Sequence, residues 1–145
     1  KDIAMGAQQW VDIKRYNTTT DCIDTLRRQG YKIVATTPHG NNCSLTSFKF
    51  YGKTALFFGT ERDGLSKEVL ENADSFLKIP MVGFTESLNI SVSAAIILHT
   101  LTSQLRKENL NWRLTENERL EKRLDWTKKS VRSLNDVLAR FHGTK

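Results

Sequence analysis

The amino-acid sequence predicts an α/β domain, a parallel sheet with helices on both faces, followed by a basic helical tail. Three observations predict it. Short apolar runs alternate with segments of helical spacing, the pattern of a parallel sheet covered on both sides. The runs Tyr31–Thr36 and Thr54–Phe58 read as buried strands. Charge is placed unevenly: residues 1–104 hold 11 basic and 10 acidic residues, whereas residues 105–145 hold 11 and 6.

Val11 and Ile13 make a short alternating strand. The run Thr18, Thr19 and Thr20 then caps a helix that carries Cys22, Ile23 and Leu26 and stops at Gly30. After the strand at Tyr31–Thr36 comes a polar loop from Pro38 to Thr46, and Gly59 ends the strand that begins at Thr54. Residues 65–73 have helical spacing, with Val69 and Leu70 on one side, and Phe76–Ile79 is a further strand ending at Pro80. From Asn89 to about Lys107 the residues Val92, Ala95, Ile96, Leu98 and Leu101 form a long core-packed helix. After a break at Asn109–Arg113, Thr115 and Glu118 form a capping box. Leu120, Leu124, Val131, Leu134, Leu138 and Phe141 then recur on one face of a helix running to Phe141.

These features exclude several classes. With 39% hydrophobic residues, 2 Pro and 8 Gly, the chain is neither collagen-like nor disordered. The longest aliphatic stretch, Ala94–Leu98, has five residues, so no membrane partner is expected. No leader pattern follows Lys1, and the expected setting is cytoplasmic, with the start at Lys1 read as a truncation. Cys22 and Cys43 are too few for a disulfide framework, and His39 with Cys43 lacks further ligands at metal-site spacing, so no metal is expected. Asn17, Asn42 and Asn89 match the glycosylation acceptor pattern at the level of chance. The basic tail suits a phosphate backbone, for which Lys128, Lys129 and Arg132 are the candidate contacts; equally, its interspersed charges suit a solvated helix face.

Chemistry is expected at two loops. Gly59-Thr60-Glu61-Arg62-Asp63-Gly64 follows an apolar strand, where ligands bind in open α/β sheets. It is no Walker loop, because Leu65 stands where the Lys belongs. Arg62 is expected as an exposed surface residue. Ile79-Pro80-Met81-Val82-Gly83 ends a strand, and Ser87-Leu88-Asn89-Ile90-Ser91 opens a helix. A neutral polar cluster at a helix N-terminus beside apolar backbone suits an uncharged adenosine, and Ser87 or Asn89 could equally be simple caps.

In this order, and roughly twenty residues apart, these motifs resemble those of the SPOUT methyltransferases of the TrmH type, over the chain from about Met5 onward. The resemblance implies an S-adenosylmethionine-dependent RNA ribose 2′-O-methyltransferase, a homodimer with a C-terminal trefoil knot. The domain would span 1–108, with a basic helical extension over 109–145 packed on the domain or a dimer partner. It also implies that backbone groups of Thr36, Gly59, Ile79, Met81 and Leu88 hold the cofactor, and that Glu61, Ser87 and Asn89 match the polar active-site positions. The expected substrate is a D-loop guanosine of tRNA; the alternatives are rRNA or a non-catalytic RNA-binding homologue. One feature departs: the family's Asn and, six residues later, its catalytic Arg are not found ahead of the segment Lys1–Trp10. A preceding part that carries them is the favoured reading over an inactive chain.

Overall fold

The computed structural model describes residues 6–39, 43–50, 52–84, 87–108 and 111–143. Lys1, Met5, Asn42 and Asn109, named above, lie outside them. The chain forms two compact units, one spanning residues 16–110 and the other formed by residues 1–15 with 111–145.

In the first unit, α1 (Thr19–Arg28) begins where Thr18 accepts a hydrogen bond from the Asp21 N–H at 3.1 Å. It ends as Tyr31 N–H donates to the Leu26 carbonyl and Gly30 N–H to that of Arg27, a paired closure that satisfies orphan carbonyls. The strands β1 (Lys32–Thr36), β2 (Cys43–Ser44), β3 (Thr54–Phe57) and β4 (Ser75–Lys78) form a fully parallel sheet in the order β2-β4-β1-β3. The helices α2 (Lys67–Asn72) and α3 (Ile90–Lys107) complete the unit.

Central strand β1 shows why this sequence makes a covered sheet. Its Ile33, Val34 and Ala35 are all buried, but on alternate faces. Ile33 and Ala35 pack with Ile23 of α1 and Val69 of α2; Val34 packs with Leu77 and with Ile97 and Leu101 of α3. Helices therefore cover both faces, as expected. Asp74 pins the entry to the sheet: its carboxylate accepts from Ile33 N–H at 2.7 Å while its own N–H donates to the Ile33 carbonyl at 2.8 Å.

Several elements differ from the expectation. Strand β2 lies inside what reads as a polar loop. It is only two residues long, too short for a period to show, and Leu45 and Phe48 just after it enter the core. Helix α2 is shorter than residues 65–73, and Leu70, 100° around the helix from buried Val69, is exposed. On α3 only Ile97 and Leu101, four residues apart, are buried; Val92, Ile96 and Leu98 are exposed.

In the second unit, a short 3-10 helix at Ala7–Trp10 leads into an extended segment through Arg15. Val11 and Ile13 form no strand, having no partner strand there; the segment contacts α4 (Glu116–Ser130) instead, with Trp10 edge-on to Trp126 and Lys122 bonded to Asp12. These first residues therefore group with the tail rather than with the sheet. The capping box is formed: Thr115 accepts from Glu118 N–H at 3.3 Å and the Glu118 carboxylate accepts from Thr115 N–H at 2.8 Å. The single helix expected to reach Phe141 is two, because Val131 is extended and Ser133 is left-handed (φ 54°) before α5 (Leu134–Gly143).

Candidate functional site

The carboxyl ends of β1, β3 and β4 open into a cavity of about 620 Å³, a volume in the usual range for a small-molecule site. Thr36, Gly59, Glu61, Ile79, Met81, Ser87, Leu88 and Asn89 all line it. Residues separated by more than fifty positions in the chain thus share one wall, because a parallel sheet sets every strand's carboxyl end on the same edge.

The loop after β3 is closed on itself. Thr60 N–H donates to the Gly64 carbonyl at 2.9 Å, Gly64 N–H returns to the Thr60 carbonyl at 3.0 Å, and the Thr60 hydroxyl accepts from Asp63 N–H at 3.0 Å. Gly64 has φ 70°, which L side chains rarely adopt. A Cβ on Gly59 would overlap the Gly64 carbonyl carbon and the Leu65 nitrogen. The close approach expected at Gly59 is therefore made by the chain's own loop.

The second loop reaches the first through Asn89. Its side-chain oxygen accepts from Ser91 N–H at 2.9 Å, capping α3, and its amide nitrogen donates to the Glu61 carboxylate at 2.7 Å. Asn89 is thus a cap and also the tie between the loops. Ser87 is exposed on the rim, and Leu88 and Ile90 turn partly inward. At the end of β1, the Thr36 hydroxyl donates to the Phe57 carbonyl at 2.7 Å and Thr37 N–H to that of Leu77 at 3.0 Å, lacing the three strand ends together.

The wall also holds residues that the sequence did not single out as site residues: Thr37, His39, Lys78 and Leu70. The signal that would have found Thr37 and His39 is their place directly after a strand's carboxyl end. Arg62 is exposed, as expected, yet it also lines this cavity. Lys128, Lys129 and Arg132 belong to the other unit: Lys128 and Lys129 sit in the last turn of α4, Arg132 in the break after it, and Lys129 is paired with Asp125 at 2.7 Å. Among the described residues no three His, Cys, Asp or Glu side chains gather to hold a metal ion, and no helix is long and apolar enough to cross a membrane.

Comparison with known proteins adds a lineage to this geometry. A tRNA (guanosine(18)-2′-O)-methyltransferase of Borreliella burgdorferi is 41% identical over 91% of this chain, which spans 61% of that protein's length. Among solved structures, the TrmH/SpoU tRNA modifying enzyme of A. aeolicus superposes with a TM-score of 0.75 at 28% identity, over 90% of this chain and 68% of that one. The SpoU methyltransferase AviRb of Streptomyces viridochromogenes, solved in complex with AdoMet, matches 61% of this chain and 36% of its own at 32% identity and a TM-score of 0.54. The model of the SpoU rRNA Methylase family matches residues 1–99, a stretch that includes the whole sheet, the closed loop and the Glu61–Asn89 tie. With the family model matched over more than half of its length, the chain belongs to the SpoU rRNA methylase family.

Proposed function

We propose that this protein transfers a methyl group from S-adenosylmethionine to a ribose 2′-hydroxyl of structured RNA, with a D-loop guanosine of tRNA as the target. The observation that carries this reading is the Asn89–Glu61 hydrogen bond across the cavity at the strand ends. It locks two loops into one preorganised wall, and methyl transfer depends on in-line alignment above all. The names of the relatives point to the same chemistry.

The cavity fits the cofactor in size and in character. Its volume suits a nucleoside with a short tail, and apolar Ile79, Met81 and Leu88 alternate with neutral Thr36 and Ser87. Main-chain groups of Thr36, Gly59, Ile79, Met81 and Leu88 would hold it. When bound, it supplies an activated methyl group on a sulfonium. This chain's residues would shape the wall, and the proton of the 2′-hydroxyl would go to the catalytic Arg that the family resemblance implies. Glu61, held by Asn89, would present its carboxyl group on the wall, and exposed Ser87 would present its hydroxyl to the ribose from the rim. Lys128 and Arg132 would reach RNA phosphates, with Lys129 exchanging Asp125 for a phosphate oxygen.

The trefoil knot, the cytoplasmic setting and the homodimer belong to the same proposal. Exposed Val92, Ile96 and Leu98 on α3, with Val82 and Phe84 exposed in the loop before it, give a second copy an apolar face to cover. The test uses the intact protein, labelled S-adenosylmethionine and tRNA, followed by digestion to nucleosides. Labelled 2′-O-methylguanosine mapping to the D loop is the expected product. Cofactor binding without methylation of tRNA or rRNA would overturn the enzymatic reading.

A further inference from the structure

All three tryptophans of the chain, Trp10, Trp112 and Trp126, lie in the unit formed by the N-terminal segment and the tail. None of its described elements buries a single residue. Trp10 is 46% exposed and is held edge-on by Trp126, with ring centroids 5.6 Å apart at 82°. That contact leaves a face of the Trp10 indole turned away from its neighbour. Lysines gather at Asp12, two residues along the same segment: Lys122 is bonded to its carboxylate, and Lys129 and Lys14 act on it too, so that together they hold it below its ordinary range. Among the described residues Lys14 forms no ion pair. Over residues 6–15 and 111–143 there are ten basic and six acidic residues.

An exposed indole among lysines is the arrangement that takes an unstacked base on its flat face while cations hold the flanking phosphates. A helix presenting only charge would suit a duplex backbone equally well; the aromatic face adds a preference for unpaired nucleotides. We propose that Trp10, braced by Trp126 and followed on the same segment by Lys14, is a stacking platform for an unpaired base of the RNA substrate. This deepens the reading above and rests on its RNA substrate. It assigns to the N-terminal segment a contact that the tail lysines alone do not provide.

The test measures binding of the intact protein to two RNAs of equal length, a hairpin with an unpaired loop and a blunt duplex, over a series of salt concentrations. Trp10→Ala should weaken hairpin binding about tenfold and duplex binding less than twofold, and Trp10→Tyr should recover most of the loss. Lys14→Gln should lower the log–log salt slope by roughly 0.7 to 0.9. Because Lys14 is exposed, this variant tests the surface even if the Trp10 variants fail to fold. S-adenosylmethionine binding by calorimetry should not change in any variant. Equal losses on hairpin and duplex, or an unchanged hairpin affinity, would overturn the platform. So would a change in sedimentation with RNA binding intact, which would make the surface a contact between subunits. A wild-type protein that binds neither RNA would instead defeat the RNA reading itself.

Discussion

Helices α3 and α4 both carry an apolar stripe at helical spacing, yet they meet opposite fates. On α3, Ile97 is 1% exposed and sits with Leu101 against Val34 and Leu77. On α4, Leu120 is 65% exposed and Leu124 little less. The difference teaches that periodicity reports a helix with an apolar face, not the surface which that face meets. What separates the two is topology: α3 follows β4 and lies on a sheet already built from the same unit, whereas α4 has only a ten-residue segment and its neighbouring helix in its own unit.

The largest effect should come from the first unit's closed loop. Gly59→Val should lower S-adenosylmethionine affinity at least about a hundredfold, because a Cβ there overlaps the returning loop backbone. Calorimetry on protein with a native circular dichroism spectrum checks it; unchanged affinity would place the cofactor elsewhere. Next, Ile97→Ala should destabilise the sheet unit by about 2–5 kcal/mol, while Leu120→Ala stays within about 0.5 kcal/mol in the isolated chain. Urea denaturation of both variants compares the stripes directly. A large loss from Leu120→Ala would show that α4 is covered in solution and would break the contrast.

A smaller change in stability with a larger one in turnover is expected at Asn89. Asn89→Ser keeps a capping oxygen but gives up the donor to Glu61. Melting should fall by less than about 1 kcal/mol, and methylation by roughly ten- to a hundredfold. Normal turnover would return Asn89 to capping alone.

The smallest effect is expected at Asp12. Lys122 bonds to its carboxylate and holds it below the ordinary value near 3.8, and the partnership raises Lys122 above 10.5. A depressed acid stabilises the native state above its unfolded value and loses that contribution as pH falls through its folded value. The strap formed by residues 6–15 should therefore hold through the neutral range and loosen only below about pH 4. Both groups are exposed, so salt should weaken the tie. Asp12→Asn should remove the acid step from a pH titration of tryptophan emission; a titration that keeps the step would assign it to another group.

Some of this was legible in the sequence for physical reasons. Strand β1 announced itself because burial on both faces requires an unbroken apolar run, and Thr18, Thr115 and Asn89 announced helix starts because orphan N–H groups need a nearby oxygen. The two loops were legible as a pair. Their tie through Asn89 was not, since a hydrogen bond spanning 28 positions leaves no spacing to read. Strand β2 escaped because two residues have no period, and His39 because one imidazole in a polar loop carries no signal until the strand before it is placed. The break at Ser133 was hidden by the apolar stripe, which runs on across it at nearly helical spacing.

The placement of the tryptophans has one more consequence, for how unfolding can be watched. The sheet unit contains Phe and Tyr but no Trp, so indole emission excited at long wavelength reports on the terminal unit alone, whereas far-ultraviolet dichroism sums over both. The molecule therefore carries its own internal test of cooperativity. Coincident transitions by the two signals would mean that the terminal unit, with no buried residue among its described ones, melts only when the sheet does. An emission change that comes earlier would mean that the terminal unit melts by itself while the cavity and its closed loop persist.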